Sequence, residues 1–183
     1  MAEISKILGL MVIILVLAKL GVAQKRKNLQ IQNISHDCNK EYISEFYIRA
    51  NNDSATLDIK AAVIKAMTRP LWLEFNMFIK GTKKADFNRI VGFDINVCDV
   101  LEKANNPLLS TWIDIIFRQG NMDKKCPMKE GTYHWKQFKI DKDTIPHFIL
   151  KGFYRIGVLG YDKRGRDKEM ILNVTLYASI KMK

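Results

Sequence analysis

His36, His134 and His147 are the side chains of this 183-residue chain best suited to proton transfer or metal ligation near neutral pH. They are scattered, and no second histidine stands at metal-ligand spacing from any of them. A secreted nuclease could pair two distant histidines with Lys124 or Lys125, but a histidine inside an aromatic run such as Tyr133-His134-Trp135 is ordinarily a packing or surface residue. The sequence has no Gly-x-Ser-x-Gly elbow and no phosphate-cradling glycine loop. Cys38 as a nucleophile lacks any neighbour in sequence that argues for a lowered thiol pKa. The chain therefore reads as a non-enzyme, with no catalytic residue, no metal and no cofactor expected.

The remaining chemistry is that of an extracellular protein. Residues 1–23 read as a secretory signal peptide: Lys6 gives the positive n-region, residues 7–17 are apolar, and Gly21 and Ala23 are small residues at the −3 and −1 positions. The apolar run is short for a bilayer span and Lys19 sits near its end; the alternative is an uncleaved anchor. Cleavage before Gln24 removes 23 of 183 residues and leaves 24–183 as one domain. Cys38, Cys98 and Cys126 all remain, and an odd count in an oxidising compartment means one disulfide plus a leftover thiol, or an intermolecular bridge. The sequons at Asn33, Asn52 and Asn173 agree with secretion and are candidate glycosylation sites.

The chain carries a formal charge of +11, of which the signal segment (Lys6 and Lys19 against Glu3) holds one unit. So basic a chain favours anionic partners. Its lysine clusters come without a helix-turn-helix, zinc-finger or aromatic RNA-binding signature, so nucleic acid is not expected as a partner. A solvated rim, or attraction to anionic lipid, is the ordinary use of such lysines.

What would position these groups is mostly strand. From Met170 to Met182 even-numbered residues are apolar and odd-numbered ones more polar, the period of a long half-buried strand with Asn173 on its polar side. Phe153 to Tyr161 is its hairpin partner across a charged turn containing Gly165. Period-two alternation also marks 57–63, 71–79, 87–97, 29–35, 42–50 and 133–140. Residues 55–67 are alanine-rich, which favours helix by propensity, but their alternation favours strand. One segment breaks this rhythm. Asn106, Pro107 and Gly120 bracket a run in which Leu108, Leu109, Trp112, Ile113, Ile115, Ile116 and Phe117 recur every three or four residues, predicting a helix with a wide apolar arc. Such a helix either plugs one end of a core or roofs a ligand cavity. A Cys98–Cys126 bridge would tie both ends of that excursion, leaving Cys38 free or paired between chains. The expected fold is all-β with one inserted helix, an immunoglobulin-like β-sandwich or β-cup.

The motif around the helix carries a resemblance. A strand running into Cys98-Asp99-Val100-Leu101, then Asn106-Pro107-Leu108-Leu109, Gly120-Asn121 and Cys126-Pro127, continues as Gly131-x-Tyr133, Phe138-x-Ile140-Asp141, Ile145-Pro146-x-Phe148 and Gly152-x-Tyr154-Arg155. This pattern resembles the insect chemosensory-protein B group, secreted proteins related to lipid-recognition (ML-like, ganglioside-activator-like) β-sandwiches. The motif-bearing part runs over 87–155. Such proteins often have an acid where Asn96 stands here, and further paired cysteines where Cys38 has no evident partner.

The resemblance implies a carrier or presenter of an apolar or amphipathic small molecule, a lipid or cuticular hydrocarbon, in taste and pheromone detection, with a membrane surface or chemoreceptor as receiving partner. The alternative function is a basic surface acting on anionic lipid, glycan or nucleic acid. A carrier needs a hollow core, and its candidate lining is Trp72, Phe75, Phe78, Phe93, Ile95, Trp112, Ile116, Phe117, Trp135 and Phe148. Aromatic residues also fill ordinary cores, so each of these has a packing reading beside the ligand reading.

Overall fold

The computed structural model of the chain describes residues 27–53, 55–102, 107–139 and 149–182. The signal segment 1–23 therefore lies outside the described residues. Among the described residues no helix is long and apolar enough to cross a membrane.

Among the described residues, eight strands form two antiparallel sheets. The larger contains β1 (Lys27–Cys38), β8 (Asp167–Met182), β7 (Gly152–Arg164), β4 (Leu71–Lys80) and β5 (Asn88–Asn96), in that order across the sheet. The smaller contains β2 (Ile43–Ala50), β3 (Thr56–Val63) and β6 (Gly131–Lys139). Of the alanine-rich stretch, 56–63 is thus strand, as its alternation predicts, while 64–67 is not. The β7–β8 hairpin closes at Gly165, whose φ of 64° suits glycine, between paired Arg164 and Asp167. Among the described residues, two helices lie between β5 and β6: α1 (Val97–Glu102) and α2 (Pro107–Gln119).

The first helix is a correction. Sequence alternation carries the β5 strand to Val97, running into Cys98, but the strand stops at Asn96, whose Oδ1 accepts hydrogen bonds from the Cys98 and Asp99 N–H groups at 3.0 and 3.3 Å. Asn96 is thus the N-cap of a helical turn. The asparagine that stands where the resembled proteins often have an acid is the residue that ends the strand.

Register assigns the faces, because directly opposed residues share one. Phe75, Met77 and Ile79 of β4 face Val158, Ile156 and Tyr154 of β7. This apolar side meets the small sheet. At one end Tyr42, Ile43, Val63, Met67 and Ile171 form a buried cluster packed by Phe46, Tyr133 and Leu172. At the other end Met77, Ile149, Tyr154 and Ile180 form a second cluster. Ile171 departs from strict alternation: Tyr161 pairs with Met170 and Gly160 with Leu172, so Ile171 is bulged out of the ladder and buried beside Leu172.

The opposite side of the large sheet is a layer of aromatic rings under cations. Trp72 stacks on Tyr161 at 6.4 Å, with Lys163 4.6 Å over the indole and Lys168 4.5 Å over the phenol. Lys168 also pairs with Glu74 at 2.8 Å and Asp94 at 3.5 Å. The Lys168 hydrogen bond, then that from Asn76, holds the Glu74 carboxyl below its ordinary range. A lowered folded pKa stabilises above the ordinary value, and this contribution is lost as pH falls through the folded one. Lys168 is 42 % exposed, which limits the pair to about 1 kcal/mol. Thermal melts of the wild type and Glu74→Gln should separate by about 2–4 °C at neutral pH and converge once Glu74 is protonated.

Candidate functional site

The space between the sheets is the candidate site. One buried cluster joins both sheets and closes one end, the other is built on the large sheet alone, and the strip between them is not closed. Phe75, Val158 and Leu176 on the large sheet, and Phe46, Ile48 and Ile59 on the small one, are only half-buried although all belong to inward-facing rows. Fully burying such a side chain contributes about 1.5–3 kcal/mol, so a sandwich that stops short leaves contact area for another apolar body. Strand count supplies a reason, since three strands cannot cover five.

β5 and β6 are the sheet edges that the helical excursion spans. α1 continues from β5, and its Cys98 is bonded to Cys126. Downstream of α2, Gly120 bridges Trp135 of β6, and the Trp135 indole N–H donates to the Ile116 carbonyl at 2.7 Å. A side chain at Gly120 would strike the Trp135 ring. The Gln119 side chain exchanges hydrogen bonds with the Lys139 backbone, both at 2.8 Å. Lys124 pairs with Asp114, lowering that carboxyl's pKa, and its ammonium lies 5.9 Å over the Phe117 ring. The helix is therefore fixed to β6 by polar contacts, and the chain beyond it is bonded to α1.

Trp135 and Phe138 both lie in rows with apolar β3 residues, opposite Ile59 and Leu57, although three residues apart. The register shift between them makes this possible: Gln137 takes φ 52°, and its N–H donates to Asp58 Oδ1 at 2.8 Å. Asp58 also accepts from Asn51 and Arg49 at 3.3 Å each, and these contacts, the Gln137 N–H first, lower its pKa.

The predicted lining divides. Phe75 and Phe93 stack at 5.1 Å on the inner side, and Ile95 stands opposite Leu73 in the same layer. Phe93 and Ile116 are 37 % and 38 % exposed, apolar side chains on the two elements that flank the open edge. Trp135 joins α2 to β6. Trp72 and Phe78 are corrections: odd spacing from Phe75 puts them on the outer side, under Lys163 and Arg155. The Trp112 side chain and Phe148 lie outside the described residues. Ile59 and Ile48, opposite Trp135 across the small sheet, were missed; the alternation of their strands is the signal that could have found them.

His36 sits on β1 edge-on to Phe46 at 5.1 Å, while the exposed His134 lies on β6 in the other sheet. The structure does not bring them together; His147 lies outside the described residues. Asn33 and Asn173 are exposed on β1 and β8, and Asn52 is exposed between β2 and β3. Cys38 is a free thiol, with its Sγ 3.8 Å from the Ile43 carbonyl.

Residues 73–156 match the family model described as a protein of unknown function, DUF1091. The match runs from β4 through the helical excursion into β7, the part of the chain that builds the open edge. No curated protein matches the chain.

Proposed function

We propose that the protein is a secreted, non-enzymatic carrier that holds one apolar or amphipathic molecule between its sheets, entering at the edge between β5 and α2. The half-buried inner strip is the observation that carries this reading. The DUF1091 match is compatible with an ML-like domain and supports it, as does the resemblance to the insect chemosensory-protein B group. On that resemblance the cargo is a lipid or cuticular hydrocarbon and the setting gustatory pheromone detection, with a chemoreceptor receiving the loaded protein.

Each methylene moved from water into the interior contributes about 0.8 kcal/mol, so affinity should rise about fourfold per carbon and stop where the space ends. Displacement of a fluorescent fatty acid by a graded series of acids or ketones measures this. Phe93→Asp places a charge at the entrance and should weaken long-chain binding more than tenfold while the far-ultraviolet circular dichroism stays unchanged. An affinity independent of chain length would remove the interior as the binding site.

A further inference from the structure

One end of the sandwich combines two features that the carrier reading does not use. It is formed by the β4–β5 turn, the start of β7 and the end of β8. Leu150, immediately before β7, is 62 % exposed, and Ile90 on the outermost strand β5 is 44 % exposed. Around them stand cations. Lys80 pairs in register with Phe153, and its ammonium donates to the Lys83 carbonyl at 2.9 Å, which holds the β4–β5 turn close to the start of β7. Gly152 pairs with Ile180, which brings Lys151 and Lys181 to this end as well. Lys83, Lys84 and Lys151 are exposed and make no ion pair among the described residues. Asp86 is the single acid in the β4–β5 turn.

The backing is rigid. Arg155 lies 4.2 Å over Phe78 and 5.2 Å over Phe87, and Lys80 lies 4.6 Å over Phe87. These stacked side chains brace the turn from behind, on the outer side of the sheet. Leu150 is held from the interior, since its carbonyl accepts the hydroxyl of the buried Tyr154.

We propose that this end docks on a membrane surface bearing anionic headgroups, with Leu150 and Ile90 entering the headgroup–acyl boundary and Lys83, Lys84 and Lys151 meeting phosphates. A polyanionic glycan or nucleic acid would account for the lysines alone. Two exposed aliphatic side chains among unpaired lysines fit an interface that is apolar below and negative above. The inference does not depend on what the interior holds.

Co-sedimentation of the purified protein with vesicles of phosphatidylcholine, with and without one third phosphatidylserine, tests it. Binding is expected to the anionic vesicles only and to fall as salt rises. Lys83→Ala with Lys84→Ala should reduce it about thirtyfold, near fivefold for each charge. Leu150→Asp and Ile90→Asp should each abolish vesicle binding yet weaken retention on immobilised heparin no more than the loss of one lysine does, and both sites are exposed enough for the fold to survive. If the aspartate variants bind vesicles like the wild type, or if heparin competes while anionic vesicles do not bind, the end is a polyanion surface and the proposal fails. Because vesicle binding is read without cargo, its failure leaves the carrier reading to be judged by the chain-length series.

Discussion

Replacing Cys98 and Cys126 together by serine is expected to lower the stability of the protein by about 3.5 kcal/mol, the loop-closure value for a bridge spanning 28 residues. For a domain of this size that is a fall in Tm of roughly 7–14 °C. The double variant is the informative one, since either single change leaves a thiol able to pair with Cys38. The loss should not be spread evenly. The sheets hold themselves by ladders that do not include the bridge, whereas the tie from α1 to the chain beyond α2 includes it directly. Amide exchange should therefore rise across 97–126 well before it rises in β7 and β8. With the excursion loosened, long-chain ligand should leave faster even at temperatures where the variant is folded. Peptide mapping without reductant should return Cys98 joined to Cys126 and Cys38 alone. Uniform loss of protection over the whole molecule would mean that the bridge supports the sandwich as a unit and that α2 is no separate element.

Strands were legible in the sequence because one side of each is apolar, and period-two alternation records that directly. The α2 helix was legible for the complementary reason, its three- and four-residue spacing bracketed by Pro107 and Gly120. What escaped is local and follows from single side chains. α1 was hidden because Val97, Cys98, Val100 and Leu101 suit a strand as well as a helix, and only the Asn96 cap decides between them. The bulges at Ile171 and near Gln137 were hidden because alternation assumes an unbroken ladder. Each shifts the faces by one residue, and each instead brings an apolar side chain (Ile171, Phe138) into line with the interior. The faces of β4 are a separate case. Aromatic character groups Trp72 and Phe78 with Phe75, but the same alternation that defines β4 puts them on its other side, where cations cover them. A hollow, moreover, has no signature of its own. An interior row of phenylalanine and isoleucine reads identically whether the opposite sheet closes on it or stands back, and that depends on pairing five strands with three.

Tyr154 offers the second large effect, and it separates the interior from the docking end. It is 2 % exposed within the far cluster, and its hydroxyl donates to the Leu150 carbonyl. Tyr154→Ala removes a ring from a packed site and should cost about 3–5 kcal/mol. Tyr154→Phe keeps the ring and removes only the donor, at about 1–2 kcal/mol, because the carbonyl of the exposed Leu150 can turn to water. Burial raises the phenol's pKa, so the hydroxyl stays protonated through the neutral range. The sign follows: a raised folded pKa stabilises fully below the ordinary tyrosine value, and the contribution is lost as pH rises through the folded one. The wild type should therefore lose stability in strong alkali more steeply than Tyr154→Phe. The phenylalanine variant should also keep the cargo's chain-length dependence while binding anionic vesicles more weakly, since Leu150 is then no longer held in place. Equal weakening of both activities would show instead that the far cluster and the docking end respond as one unit, with Tyr154 acting through packing alone.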